Sequence, residues 1–242
     1  MKTKFLFLSL LTLIGVDAQN SKISGQVIYD YQINPSELTI YYNVVSILNF
    51  TEKESLYEID HLNAVSKTMS DMQFGIKSEE NEFVYKDSKT QTMYYMDNFQ
   101  FTSFNIKDTL NIMDWTLNEN TKEILGYHCQ EATTSYGGRF YIAHYTAEIP
   151  ISNGPWRFNG LPGLILEVHS IDKVFNLKAT SLMIKDENIE IKNPFEGKKH
   201  MSWQAFLDLY KKKYDEELRN NMKEFGSGID LAKKGIVEYI KD

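Results

Sequence analysis

Apolar and polar residues alternate along the amino-terminal part of the chain, which is the pattern of a β-strand with one buried face. Between residues 22 and 33, the apolar side is formed by Ile23, Val27, Tyr29, Tyr31 and Ile33. A second stretch, rich in tyrosine and valine, covers 38–47 after a turn sequence at 34–36. The two stretches predict an opening antiparallel pair of strands.

Further strand-like segments follow one another at short intervals along most of the remaining chain. They lie at 55–60, 82–87, 91–96, 99–106, 111–117, 124–136, 139–147, 163–170 and 173–185. This spacing is typical of an antiparallel meander.

Helical periodicity is clear near the carboxyl end, where large apolar residues recur every three or four positions behind a candidate N-cap, Ser202. Gly226 follows as a natural stop. The recurring residues are Trp203, Phe206, Leu207, Tyr210, Tyr214 and Leu218.

A weaker helical stripe joins Leu62, Val65, Met69 and Met72. Taken together, these patterns predict a mainly β fold of the α+β class in a single domain. We expect a curved antiparallel meander sheet or half-barrel, with the carboxyl-terminal helix packed on it.

Residues 1–18 have the features of a secretory signal peptide. Lysines stand near the amino terminus, an apolar run covers 5–16, and the small residues Val16 and Ala18 occupy the positions that signal peptidase recognises. The apolar run is shorter than the roughly 20 residues that span a bilayer. We therefore expect a periplasmic or secreted mature domain at 19–242 that does not span the membrane.

Composition favours a sheet and limits the class of partner. The chain contains 15 tyrosines and 14 phenylalanines, residue types that suit pleated strands. Its formal net charge of −7 disfavours nucleic acid as a partner. Cys129 is the single cysteine, so no intrachain disulfide is possible and the fold depends on a hydrophobic core.

Turn residues precede an apolar strand in the segment GPWRFNGLPGLILEV at 154–168. In Leu161-Pro162-Gly163-Leu164, proline and glycine suit the two central positions of a type II turn, which would place Gly163 at positive φ. A corner between strands accounts for this composition. The alternative is a loop at the mouth of a cavity, since binding residues often lie on loops held by a sheet.

Three segments stand in a fixed order: LGYHCQEA at 125–132, GGRFYIAHYTAEIPI at 137–151, and the segment 154–168, which contains the hexapeptide Gly160, Leu161, Pro162, Gly163, Leu164 and Ile165. Together they resemble the GLPGLI family of exported proteins from Gram-negative bacteria, which is named after this hexapeptide. The family is uncharacterised, and the resemblance implies a shape similar to the curved sheets of periplasmic lipoprotein carriers. The chain departs from the family at His144, where tryptophan is expected.

Neither a His-Glu-x-x-His, a Gly-x-Ser-x-Gly nor a phosphate-binding motif occurs, so we assign no catalytic residue and no cofactor. The main hypothesis is a non-catalytic binding module whose concave face accepts an apolar ligand or an envelope protein. Its candidate contacts are Tyr141, Tyr145, Trp156 and Phe158. The alternative is a structural or interaction protein of the envelope, in which the helix closes the concave face and no small ligand binds.

A third hypothesis is a metal site beside a hairpin. Gly137-Gly138 suits a two-residue turn, which pairs 136 with 139, 131 with 144 and 129 with 146. This register places Cys129, Glu131 and His144 on one face, where they could bind zinc or copper. The competing interpretation is a cross-strand Glu–His pair beside a buried cysteine.

We expect the mature protein to begin at Gln19, because signal peptidase would cut after Ala18. Mass spectrometry of the intact protein from periplasmic and secreted fractions should give the mass of 19–242. A cytoplasmic protein that retains residues 1–18 would contradict the predicted export.

Overall fold

The computed structural model describes residues 23–33, 40–61, 65–68, 81–99, 102–110, 112–185, 187 and 189–225. The expected signal peptide, the turn at 34–36 and Gly226 lie outside these residues.

Thirteen strands and one helix occur in the described part of the chain. The strands of the first half are β1 (Ser24–Ile33), β2 (Ile40–Thr51), β3 (Glu54–Ile59), β4 (Val65–Thr68), β5 (Glu82–Asp87), β6 (Thr92–Phe99) and β7 (Thr102–Thr109). They are followed by β8 (Thr116–Ile124), β9 (Tyr127–Tyr136), β10 (Arg139–Thr146), β11 (Leu164–Ser170), β12 (Phe175–Lys185), β13 (Met201–Ser202) and α1 (Trp203–Phe225).

These strands form one open sheet in the order β13-β7-β6-β5-β3-β2-β1-β12-β11-β10-β9-β8, with β4 paired to β2 beside this path. The sheet consists of two meanders that join where β1 pairs with β12. Every pairing is antiparallel except the short one between β13 and β7. The mainly β class, the opening β1–β2 pair and the meander order are thus confirmed.

Two contacts to Phe158 show that the sheet curves strongly. Its ring lies 5.1 Å from the ring of Tyr141 on β10, and its carbonyl oxygen lies 2.8 Å from Nζ of Lys86 on β5. These strands are six positions apart in the sheet order, which is about 29 Å in a flat sheet. Because one residue cannot reach both across a flat surface, the sheet wraps around Phe158 as a half-barrel.

The concave face of this half-barrel carries the main hydrophobic core. Tyr29, Tyr57 and Phe175 are completely buried there. Helix α1 packs on the same core through Phe206, which is also completely buried. The Ser202 hydroxyl accepts a hydrogen bond from the Ala205 amide at 3.2 Å, which confirms the predicted N-cap.

The convex face is covered where the segment 189–195 crosses it. Ile191 and Phe195 pack with Tyr85 in a second, smaller hydrophobic cluster. Strand β5 is therefore covered on both faces, with Val84 in the main core and Tyr85 in the second cluster. Among the described residues, no helix combines the length and the apolar content that crossing a bilayer requires.

Three secondary-structure predictions are wrong in part. Residues 112–115 of the strand expected at 111–117 are not in a strand, and β8 instead continues through polar residues to Ile124. The strand expected at 124–136 is divided by a hairpin turn at Leu125 and Gly126, both at positive φ. In the helical stripe expected at 62–72, residues 65–68 form β4, since β2 supplies backbone partners there. Leu62, Met69 and Met72 lie outside the described residues.

The type II turn prediction for Gly163 is also wrong. The glycine at positive φ in this segment is Gly160, with a φ of 93°. Gly163 is required for another reason, because a Cβ atom at this position would collide with the backbone carbonyl of Thr146. Glycine is therefore required at position 163 by the close approach of two backbone segments, and not by a positive φ.

We expect Gly163→Ala to lower the free energy of unfolding by about 3 kcal/mol, since a collision with backbone cannot be relieved by a side-chain rotation. Gly197→Ala is the matched control, because Gly197 has a φ of 72° but nothing within 4 Å of its Cβ position. That control should cost about 1 kcal/mol. Urea denaturation of both variants checks this, and equal losses would contradict the steric explanation.

Candidate functional site

Residues 147–163 connect β10 to β11 and lie across the concave face; we call this segment the β10–β11 loop. Its central side chains are almost completely buried, with relative exposures of 7% for Trp156, 4% for Arg157 and 0% for Phe158. Asn159 and Leu161 are similarly buried. The concave side of the half-barrel is therefore filled by the chain itself.

The β10–β11 loop is held by its own backbone and by β1. The amide of Ile165 donates to the carbonyl of Asn153 at 2.9 Å, so the loop runs back alongside the start of β11. The Tyr29 hydroxyl donates to the carbonyl of Ile165 at 2.7 Å. The β10–β11 register shifts next to this point, between His144 and Tyr145.

A buried lysine on β5 holds the middle of the loop. Lys86 is only 2% exposed, and its ammonium group donates to Asn153 Oδ1 at 3.1 Å and to the carbonyls of Gly154 and Phe158 at 2.8 Å each. No carboxylate in the described residues forms an ion pair with it. Burial lowers the pKa of Lys86 well below its ordinary value. The three acceptors match the three donors of an ammonium group, so Lys86 is an internal hydrogen-bonding centre.

Arg157 links the loop to β6 and to the helix. Its guanidinium forms an ion pair with Asp97 at 3.0 Å and lies over the Tyr95 ring at 3.7 Å. The Trp203 ring at the start of α1 is 5.2 Å away. Arg157 is therefore buried with both a counter-ion and aromatic faces, an arrangement that stabilises a desolvated cation.

The four aromatic residues predicted to contact a ligand all lie in the core. Tyr141 and Phe158 are completely buried, and Tyr145 and Trp156 are 2% and 7% exposed. Phe158 lies at the centre, with the rings of Tyr141, Trp156, Trp115 and Phe175 within 6.4 Å. These side chains contact one another and leave little surface for a ligand.

The hairpin register predicted from Gly137-Gly138 is confirmed. Both glycines have positive φ, and His144 pairs with Glu131 across β9 and β10. The side chains of this pair meet at 3.7 Å, between Nε2 of His144 and Oε2 of Glu131. Burial lowers the pKa of His144, and the nearby Lys122 lowers it further.

Glu167 on β11 is a second carboxylate beside His144, which it faces across β10 and β11. Its Oε1 atom lies 2.5 Å from Nζ of Lys122 and 3.7 Å from Nδ1 of His169. Burial opposes ionisation of Glu167, but hydrogen bonds from His169 and Lys122 outweigh it and lower the pKa to about 2. Because Glu167 stays ionised near neutral pH, its contact with Lys122 is an ion pair.

Cys129 does not complete a metal site with Glu131 and His144. The thiol is completely buried, and burial raises its pKa to about 11, which disfavours the thiolate that binds metals. Glu131 Oε1 already accepts hydrogen bonds from the amides of Asn118 and Asn120. Within the described ranges, no group of three or more His, Cys, Asp or Glu side chains is placed to hold a metal ion.

Two large apolar side chains project from the end of the sheet near the β9–β10 and β11–β12 turns. Phe140 is 63% exposed and Ile171 is 61% exposed. They are neighbours, since the Ile171 amide donates to the Phe140 carbonyl at 3.0 Å. An adjacent pair of this size is more informative than single exposed apolar residues, which are common on protein surfaces.

Sequence reasoning missed Lys86, Arg157 and Asp97, the polar residues that hold the loop. In the β5 sequence Phe83-Val84-Tyr85-Lys86, the aromatic residues indicate one buried face, but nothing local shows that the opposite face, with Val84 and Lys86, is buried as well. The available signal was Arg157, a charged residue directly between the aromatic residues Trp156 and Phe158. A charge in that position indicates a buried partner, but not which residue it is.

Comparisons with known proteins give a family of unknown function and a distant structural likeness. A family model described as Porph_ging, a protein of unknown function, matches residues 139–167, which include β10, the β10–β11 loop and the start of β11. No curated protein matches the chain.

Among solved structures, the P21 crystal form of PNGF-II is similar over 78% of this chain, with a TM-score of 0.51 and 17% sequence identity. The C2 crystal form of PNGF-II gives a TM-score of 0.48 and 18% identity over 80% of this chain. In both cases the match covers 33% of the PNGF-II chain, so this protein spans about a third of its length. At this identity the likeness shows the fold alone.

We expect Lys86→Met to lower the free energy of unfolding by roughly 3 kcal/mol, because Asn153 Oδ1 and two loop carbonyls lose their donor inside the core. The matched control is Lys178→Met, since Lys178 is exposed on β12. Urea denaturation measures the difference, and limited proteolysis should show faster cleavage within 147–163 for the Lys86 variant alone. Equal stability of the two variants would contradict the role of Lys86.

Proposed function

We propose that this chain is an exported interaction module of the cell envelope, which binds a protein partner and has no catalytic role. The observation that carries the proposal is the exposed pair of Phe140 and Ile171 on a molecule whose concave interior is filled. A carrier of an apolar ligand needs an interior space, and the β10–β11 loop takes up that space. An interaction protein needs an exposed apolar contact, which this pair provides.

The surroundings of the pair fit a protein contact. The centres of protein interfaces are more apolar than the surrounding surface and enriched in aromatic residues, and polar groups form the rim. His169 lies on β11 two residues before Ile171, and Asp172 directly after it forms an ion pair with Arg139 at 2.7 Å. Phe140 and Ile171 therefore stand on fixed backbone beside polar groups, so that binding requires little reorganisation.

Two comparisons are consistent with this proposal, and neither identifies the partner. The residues that match the family model of unknown function include Phe140. The likeness to PNGF-II covers a third of that chain, so this fold occurs there as part of a larger protein. An accessory module beside other protein surfaces is consistent with both.

The proposal predicts that a photo-crosslinking amino acid at position 140 captures one protein of defined mass in the intact envelope. The same group at position 183 is the control, because Met183 is 54% exposed but lies on another part of the sheet. Capture at both positions, or at neither, would contradict the proposal.

The captured protein should then bind the purified chain, and Phe140→Ser with Ile171→Ser should weaken that binding by roughly thirtyfold or more, the loss expected when an interface anchor is removed. Val45→Ser with Met183→Ser changes two other exposed apolar residues and should leave the Kd within about twofold. Calorimetric titration measures both values. A similar loss in the two double variants would indicate a nonspecific apolar contact and exclude this surface.

A further inference from the structure

A hollow of about 210 Å³ opens where the β10–β11 loop meets the turns that follow β2, β5 and β7. Pro150 and Ile151 of the loop and Leu110 after β7 supply its apolar wall. The polar side is supplied by Glu52 after β2, by Ser88 and Gln91 between β5 and β6, and by Ser152 and Asn159 of the loop. Neither Phe140 nor Ile171 belongs to this lining, so the hollow is separate from the proposed partner surface.

Hydrogen bonds between the surrounding segments hold the walls in place. The amide of Ser88 donates to the carbonyl of Lys53 at 2.8 Å, and the amide of Leu110 donates to the carbonyl of Gln91 at 3.1 Å. Within the loop, the amide of Gly160 donates to the Ser152 hydroxyl at 3.1 Å. The hollow is therefore preformed, and a ligand would not have to order its walls.

Two side-chain amides and one carboxylate in the lining have oxygen atoms available as acceptors. Asn159 is 5% exposed and directs its Nδ2 to the carbonyl of Arg157 at 3.5 Å, which leaves its Oδ1 as an acceptor. The Gln91 Nε2 donates to the Ser88 carbonyl at 2.7 Å, which likewise leaves Oε1. The Glu52 carboxylate has no hydrogen-bond or ion-pair partner in the described part of the chain. A ligand with several donors and a positive charge would complement these acceptors.

We propose that the hollow binds the primary ammonium group of a small molecule. Glu52 provides the opposite charge, and the side-chain oxygens of Gln91 and Asn159 accept the remaining donors of the ammonium group. The net charge of −7 favours the approach of cations over anions. Quaternary ammonium groups are excluded as ligands, because they have no N–H donors and are bound by aromatic cages, whereas this lining contains no aromatic side chain.

The test uses the purified mature chain and four probes: glucosamine, putrescine, glucose and choline. Binding is followed by amide chemical shifts in NMR titrations, since a ligand of this size in a small hollow should bind with a Kd on the order of millimolar. We expect shifts at Gln91, Ser152 and Asn159 with one or both of the primary amines. Tighter binding of glucosamine would indicate an amino sugar as the natural source, and tighter binding of putrescine an alkylamine.

Glu52→Gln should weaken amine binding by about tenfold or more, the loss of one charge-assisted hydrogen bond. Glu119→Gln is the matched control, because Glu119 is an exposed carboxylate on β8 outside the hollow, and it should leave the Kd unchanged. Both variants should keep the melting temperature of the parent chain, so a loss of binding would not reflect unfolding. The proposal is overturned if neither amine binds, if glucose or choline binds as well as the amines, or if the two variants lose affinity equally.

Discussion

The structure depends on one constraint, namely that a strongly curved sheet must fill its concave side. The chain has a single cysteine and therefore no disulfide to stabilise an empty interior. It fills that side with the β10–β11 loop, whose central residues are as buried as those of the strands around it. Buried loops are uncommon, because their backbone N–H and C=O groups can no longer form hydrogen bonds with water and need other partners. Here Lys86, Trp115 and Ser152 supply hydrogen-bonding partners to the loop, and so make its burial possible.

Local patterns were sufficient for the opening strand pair and the Gly137-Gly138 hairpin, but not for the pairing of β1 with β12 or for the packing of the sheet. Alternation in 22–33 and the Gly137-Gly138 turn predict pairings that the structure confirms, because strand period and hairpin register are set by neighbouring residues. β8 was misplaced because it is an edge strand, and polar residues such as Glu119 protect an edge without producing alternation. The Lys86 contacts join residues nearly 70 positions apart, and no local signal encodes a contact over that separation.

The division between concave and convex faces limits where this molecule can interact. On the concave side, Phe158 and its aromatic neighbours satisfy one another, and Arg157 pairs with Asp97 instead of facing solvent. The exposed groups that we propose for binding therefore lie at the ends and turns of the sheet. Phe140 provides an apolar contact at one place, and Glu52 provides a charge at another. Stability and recognition thus use different residues, so that binding can change without loss of the core.

The hexapeptide Gly160–Ile165 is explained by folding at nearly every position. Gly160 adopts a positive φ, Leu161 is buried, and Gly163 passes too close to the Thr146 carbonyl for any side chain. Leu164 and Ile165 then begin a strand buried on both faces. Because backbone geometry or packing accounts for these five residues, the segment by itself carries no information about a ligand. The specific function of this chain must therefore be sought in side chains outside it.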